Sequence, residues 1–347
     1  MKRSKAGAGC SRSLFLIITL SLVASSATPQ SGQNNEQAIK LGVDLVLLDV
    51  EAVNKKTGQA VGGLKKEDFL VYEDGVRQEI THFSQDKLPI SALILLDVSG
   101  SVWPFIKELR EAAREALQLL KPEDEAALMV FAGSVKLAVN FTKDKRKVAE
   151  SLGLFGGDKL EGGTNHNTAL LQAAAFMKNA TSASHRRVII AITDDVSTEK
   201  KPPPYSEART LHEVLESGVV ICGIFFDSIY RTNKSNRREK DLNPAAPQIS
   251  LEKGSSGLVL SYVERTDGIS AEVDKKNLQA SLRENFTRLI ERLRTRYSLG
   301  YTSTNEKRDG KFRKVRLRLS REAQEREGGA TVSTRRGYYA KREGGDE

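Results

Sequence analysis

Cysteine is nearly absent from this chain. Two occur in 347 residues, and Cys10 lies in an N-terminal segment that reads as a removable leader. A mature chain with Cys222 alone forms no internal disulfide, so a packed core must supply the stability. Cys222 sits within "GVVICGIFF" and reads as a small buried hydrophobe. Long apolar runs are also missing. After the N-terminal segment none approaches 18 residues, which excludes a membrane-spanning helix there. The chain has no phosphate loop of the form G-x-x-x-x-G-K-[ST], no G-x-S-x-G nucleophile elbow and no internal repeat. What remains is 39% hydrophobic residues, enough for one large domain and a smaller one, in a composition neither collagen-like nor disordered.

The first 27 residues have the layout of a secretory signal peptide. Lys2, Arg3, Lys5 and Arg12 form a basic start, Leu14 to Ala24 a short apolar core, and Ser25-Ser26-Ala27 a small-residue cleavage site. An uncleaved N-terminal anchor is the alternative. Either reading implies export, to the periplasm, the cell surface or the medium. Residues 28–42 are polar and read as a flexible lead-in. The formal charge is +9; without the four basic residues of the leader it is +5. Between Arg283 and Glu343 there are 18 Lys or Arg against 8 Asp or Glu. Such a basic end suits an acidic partner or a membrane surface, or is simply a solvated face. Export argues against nucleic acid.

Residues 43–88 carry β patterns. "VLLDVEAV" alternates, and "DFLVYEDGVRQEITHF" places Asp74-Gly75 between two alternating runs, a strong hairpin signal. From Ile90 the rhythm changes. "ALILLD", "AALMVF", "RVIIAIT" and "VVICGIFF" are near-continuous apolar runs, as in parallel strands covered on both faces. Amphipathic helices alternate with them. In "PFIKELREAAREALQLL", Phe105, Ile106, Leu109, Ala113, Ala116, Leu117 and Leu120 form one stripe, and Pro104 suits the first turn. "TALLQAAAFMKNA" and "YSEARTLHEVLES" are similar, with Gly218 as a C-cap. This alternation predicts an α/β, doubly wound, mostly parallel sheet over residues 89–297, interrupted by a polar insertion at about 228–260. A helix from about Leu278 to Arg296 closes it. β pattern returns over 298–340, before a short tail (341–347). In "KVRLRL", Val315, Leu317 and Leu319 share one face and Lys314, Arg316 and Arg318 the other. The two β segments are expected to pair into one small flanking β-domain, because the termini of such an α/β domain often lie close together.

Ligands of open α/β sheets bind at the carboxyl ends of the strands. Three polar clusters fall there. "LILLDVSGSV" delivers Asp97, Ser99 and Ser101, "EGGTNHNTAL" delivers Thr164 in a Gly-rich loop entering a helix, and "AITDDVS" delivers Asp194. Two carboxylates and three hydroxyls are hard oxygen donors. They suit Mg²⁺ or Mn²⁺ better than zinc, which takes His or Cys. Gly100, Gly162 and Gly163 are expected to permit unusual backbone beside them. Asp97 alone would equally well cap the following helix.

"DVSGS", "GGT" and "TDD", in this order on these strands, resemble the metal-ion-dependent adhesion site of von Willebrand factor type A domains. The family's pattern is Asp-x-Ser-x-Ser, a distant Thr and a distant Asp. It falls here on Asp97, Ser99, Ser101, Thr164 and Asp194, over a resemblance spanning residues 89–297. One position departs: Asp195 stands where the family often has Gly. The flanks "DFLVYEDGVRQEI", "YSLGYTS" and "RRGYYA" resemble exported bacterial proteins of the same family. The resemblance implies a binding module, not an enzyme, in which Mg²⁺ (or Mn²⁺ or Ca²⁺) meets a carboxylate of a protein partner. Trp103, His166 and Asp195 are candidate partner contacts. Trp103 packs under the loop as an alternative, His166 reads also as a loop residue, and Asp195 as structural. A metal-dependent hydrolase is a second reading, but no His, Cys or Lys near the clusters is an evident general base. A third is a structural envelope component that binds through its basic β-domain.

Overall fold

The computed structural model describes residues 45–85, 88–154, 163–182, 185–197, 205–226 and 257–342, without the side chains of Trp103, Gly153, Leu154 and Lys275. The leader and the lead-in lie outside the described residues, as does most of the expected insertion. The chain begins with β1 (Leu45–Asn54), β2 (Phe69–Glu73), β3 (Val76–Gln78) and β4 (Ile80–Ser84). It continues through β5 (Ile90–Asp97), α1 (Ile106–Leu117), β6 (Glu125–Phe131), β7 (Val135–Thr142), α2 (Lys145–Leu154), α3 (His166–Phe176) and β8 (Arg186–Thr193). Next come α4 (Glu207–Glu216), β9 (Val220–Phe225), α5 (Leu258–Arg265), β10 (Ser270–Glu272) and α6 (Leu278–Arg294). β11 (Tyr297–Thr302), β12 (Phe312–Leu319), α7 (Arg321–Arg326), β13 (Ala330–Ser333) and β14 (Gly337–Tyr339) complete it.

The central sheet has the order β10-β9-β8-β5-β6-β7. All its pairings are parallel except that of β7 with β6. Every residue of β5, β6 and β9 is buried, which explains their unbroken apolar runs. Alternate residues of β5 enter different cores. Ile90, Ala92, Ile94 and Leu96 meet α1 and α6, while Leu93 and Leu95 meet α3, α4 and α5. Burying each such Leu or Ile contributes roughly 1.5–3 kcal/mol. Cys222 is fully buried in the first core, and burial pushes its thiol up to about 11. The edge strand β7 was not anticipated. It pairs on one side only and is half-exposed along most of its length, so it has no apolar run.

Local chemistry sets the ends of elements. Asp74 and Gly75 both have positive φ, 47° and 89°, the backbone of a type I′ hairpin turn between β2 and β3. The Ser206 hydroxyl accepts from Arg209 N at 3.2 Å and starts α4. Gly218, at φ 65°, ends it. The insertion ends earlier than expected. "LVL" at 258–260 is the first turn of α5, because all three side chains are buried in the second core.

The N- and C-terminal β segments pair, as the sequence led us to expect. One antiparallel sheet has the order β13-β1-β11-β4 and another β14-β12-β2-β3. Between them lies a third core containing Leu48, Val50, Val71, Tyr297, Leu299, Tyr301 and Val315. Charge joins this β unit to the α/β domain. Arg292 forms a bidentate pair with Glu51 at 2.6 and 2.7 Å, and Arg186 reaches Asp49 at 2.8 Å. The fully buried side chain of Arg296 lies between Asp49 (3.4 Å) and Asp267 (3.7 Å).

Candidate metal centre

Asp97 is the last residue of β5, at the carboxyl edge of the central sheet, and is fully buried. Its Oδ1 accepts from Ser99 N at 2.8 Å. That bond turns the chain out of the sheet, and a second turn follows as Val102 N donates to the Ser99 carbonyl at 3.1 Å. The hydroxyls of Ser99 and Ser101 then lie 3.1 Å apart. Ser99 is half-buried and Ser101 exposed, so the row opens from the core to solvent. Gly100 differs from expectation. Its φ is not in the left-handed region, and a Cβ there would meet nothing within 4 Å. The Asp97 carboxylate, not a special glycine backbone, makes the turn.

The other two clusters are tied to the same edge. Asp97 lies opposite Phe131 of β6. The next residue of that chain, Ala132, accepts from Asn165 N at 3.2 Å, which holds the buried Thr164 beside the end of β6. The Asn165 side chain caps α3 through Thr168 N at 2.9 Å. The Ser197 hydroxyl donates to the Thr164 carbonyl at 3.1 Å, joining that loop to the one after β8. Asp194 opens this second loop. It is half-buried, and its Oδ1 accepts from Val196 N at 3.2 Å.

Thr193, which the sequence reading passed over as the end of an apolar strand, is the hub. Its hydroxyl donates to Asp97 Oδ2 at 2.6 Å and accepts from Asp195 N at 3.0 Å. His166 Nε2 lies 3.1 Å away on the same oxygen. The single Thr193 proton goes to the carboxylate, so His166 is assigned the Nε2–H tautomer. Its ring is buried edge-on to Phe131, and its Nδ1 has no partner among the described residues. Burial holds the imidazole below its ordinary range, against the pull of Asp195 and Asp194, so it is neutral. The only sequence signal for Thr193 was a hydroxyl within an otherwise apolar strand.

Asp195 has an internal role. Its φ of 55° is left-handed, a region open to Gly, and Asp is among the few other residues that visit it. Its carboxylate accepts from Val259 N (2.8 Å) and Leu260 N (3.0 Å) at the start of α5. His166 and Asp195 are 1% and 5% exposed. The expectation that they contact a partner is therefore corrected: both side chains are buried, and neither presents a surface on which a partner could dock. Trp103 lies in the short turn Trp103–Phe105, and its side chain is outside the described residues.

The electrostatics leave the Asp97 carboxylate without a compensating charge. Burial is the main force raising the Asp97 carboxyl, to about 6, against the Thr193 and Ser99 hydrogen bonds that stabilise its charge; the Asp194 charge raises it further. No Lys or Arg among the described residues pairs with Asp97 or Asp194. A buried carboxylate without a counter-charge is costly. The buried Asp97 and half-buried Asp194 carboxylates, with the hydroxyls of Ser99, Ser101 and Thr164, are a donor set that would fit a hard divalent cation, which would supply the missing charge.

Residues 92–196 match the family described as "von Willebrand factor type A domain". The stretch carries Asp97, Ser99, Ser101, Thr164 and Asp194. Among curated proteins, inter-alpha-trypsin inhibitor heavy chain H2 of Sus scrofa is 33% identical over 100 residues, 28% of this chain and 11% of that protein. The match therefore spans about a tenth of that relative's length. Among solved structures, an aerotolerance-related membrane protein from Bacteroides fragilis NCTC 9343 is 16% identical with a TM-score of 0.41, over 58% of this chain and 98% of its own. Proximal thread matrix protein 1 from the mussel byssus, with a zinc-occupied MIDAS motif, is 14% identical with a TM-score of 0.42, over 61% of this chain and 49% of its own. No helix among the described residues is long and apolar enough to cross a membrane.

Proposed function

We propose that the protein is an exported module that binds a protein partner through a divalent cation. The observation that carries this reading is the buried, uncompensated Asp97 carboxylate beside Asp194, in line with two hydroxyls that lead to solvent. Asp97, Ser99, Ser101, Thr164 and Asp194 would hold Mg²⁺, or Mn²⁺ or Ca²⁺, directly or through water. The cation supplies a positive centre at the surface that attracts an acidic side chain of the partner, and low dielectric around Asp97 strengthens that contact. Ser99 and Ser101 present their oxygens outward. Thr193 and His166 hold Asp97 in one rotamer. The signal-like N-terminus, "YSLGYTS" and "RRGYYA" support export.

Binding is favoured over catalysis. His166 is buried, neutral and bonded to Thr193, so it is poorly placed to take a proton from a substrate or water. Chelator-reversible capture of a partner from the native envelope fraction, repeated with Asp97→Ala, tests the reading. Capture should vanish with chelator and with the variant while the variant melts cooperatively. Capture that persists unchanged in chelator rejects the mechanism.

A further inference from the structure

One face of the β14-β12-β2-β3 sheet carries cations that no other described residue engages. Along β12, Arg313, Val315 and Leu319 are buried, while Lys314, Arg316 and Arg318 are exposed on the opposite side. At about 3.4 Å per residue these three stand about 7 Å apart. The register sets Tyr72 opposite Arg316 and Arg77 opposite Tyr72. Directly opposed residues share a face, so Arg316, Tyr72 and Arg77 form a row across three strands, with Leu70 opposite Arg318 in the next row. Arg77 is exposed, and Tyr72 and Leu70 are half-buried.

Among the described residues, none of these four cationic side chains has an ion-pair or hydrogen-bond partner. The contrast with their surroundings is sharp. Arg313, on the inner side of the same strand, binds Asp309 at 2.8 Å and the Lys307 carbonyl at 3.0 Å, and Arg326 binds Asp68 at 2.7 Å. The acids nearest in sequence leave the patch charged. Asp74 accepts from the backbone N of Lys314, and Glu79 forms no ion pair with Arg77.

Two features select the occupant. The cations spread in two dimensions over a sheet face, with Arg77 two strands, about 9.6 Å, from Arg316. A single extended acidic chain would instead follow a line. The groups between them are an aromatic ring and a leucine, half-exposed, the composition that settles at the headgroup layer of a bilayer. We propose that this face docks on an anionic lipid membrane, with Lys314, Arg316, Arg318 and Arg77 on the headgroup phosphates and Tyr72 among them. This is independent of the cation site, which lies at the edge of a different sheet.

The test is co-sedimentation of the full chain with phosphatidylcholine vesicles, with and without phosphatidylglycerol. The wild type is compared with Lys314→Gln/Arg316→Gln/Arg318→Gln. Both carry the same N-terminal segment, so their difference reports the sheet face. Each cation near an anionic surface multiplies partitioning about fivefold, so the triple variant should lose on the order of 100-fold on phosphatidylglycerol vesicles. It should match the wild type on neutral vesicles, and its melting midpoint and magnesium response should not change. Wild-type binding to the anionic vesicles should also weaken as salt is added. Should the triple variant fail to fold, Arg316→Gln alone should lose about fivefold. Equal binding of wild type and variant to anionic vesicles overturns the proposal, as does a wild type indifferent to phosphatidylglycerol. So does a wild type that ignores vesicles but binds soluble polyglutamate through these residues, which would assign the face to an acidic protein.

Discussion

Replacing Asp97 by asparagine should stabilise the metal-free protein at neutral pH and abolish its response to magnesium. Burial raises the Asp97 carboxyl from 3.8 to about 6. Each pH unit of such a shift corresponds to about 1.4 kcal/mol, so the buried charge costs about 3 kcal/mol above pH 6. The sign follows from proton counting. Between about pH 4 and 6 the folded state keeps a proton that the unfolded chain has lost, so stability falls as pH rises through that window. Asparagine does not titrate and avoids the loss. Its Oδ1 can still accept from Ser99 N, but its amide faces the Thr193 hydroxyl, which must then turn its proton away at a cost of about 1–2 kcal/mol. The net gain at pH 7 is about 1–2 kcal/mol, or roughly 3–6 °C in melting midpoint for a domain of this size. The advantage should vanish near pH 4. Magnesium at a hundred times its dissociation constant should stabilise the wild type by about 2.7 kcal/mol and reverse the ranking. Thermal melts with EDTA and with magnesium, at several pH values, measure all of this. An asparagine variant less stable than the wild type at pH 7 without metal, or one that magnesium stabilises equally, would refute the reasoning.

Three further outcomes follow from the same contacts. Because the cation needs the Asp97 carboxylate ionised, magnesium affinity measured by calorimetry should fall about tenfold per pH unit below about 6 and level off above it. Thr193→Val removes the hydroxyl that donates to Asp97 and accepts from Asp195 N; it should cost about 1–3 kcal/mol in denaturant melts and weaken magnesium binding, whereas Thr193→Ser should restore both. Arg296→Met leaves the half-buried Asp267 without its charge partner and should cost about 3 kcal/mol, read as an earlier urea midpoint with little change in magnesium affinity.

The sequence by itself determined the elements whose causes are local. Asp74-Gly75 carries its own turn, Ser206 and Gly218 bracket α4, and the unbroken runs of β5, β6, β8 and β9 announce strands buried on both faces. Period and turn chemistry act over a few residues, so they can be read without the fold. The placement of Asp97, Ser99, Ser101, Thr164 and Asp194 was also legible, because each follows an apolar strand or precedes a helix. Only the tertiary structure decided what surrounds them. Thr193 is ordinary in sequence and becomes a hub because Asp97, 96 positions earlier, and His166, 27 positions earlier, meet its hydroxyl. Asp195 is withdrawn from the surface by helix α5, 64 residues on, whose N–H groups need an acceptor. Arg296 pairs with Asp49 across 247 positions. A buried polar atom must find a partner wherever the chain brings one, and nothing in the neighbouring sequence says which partner that will be.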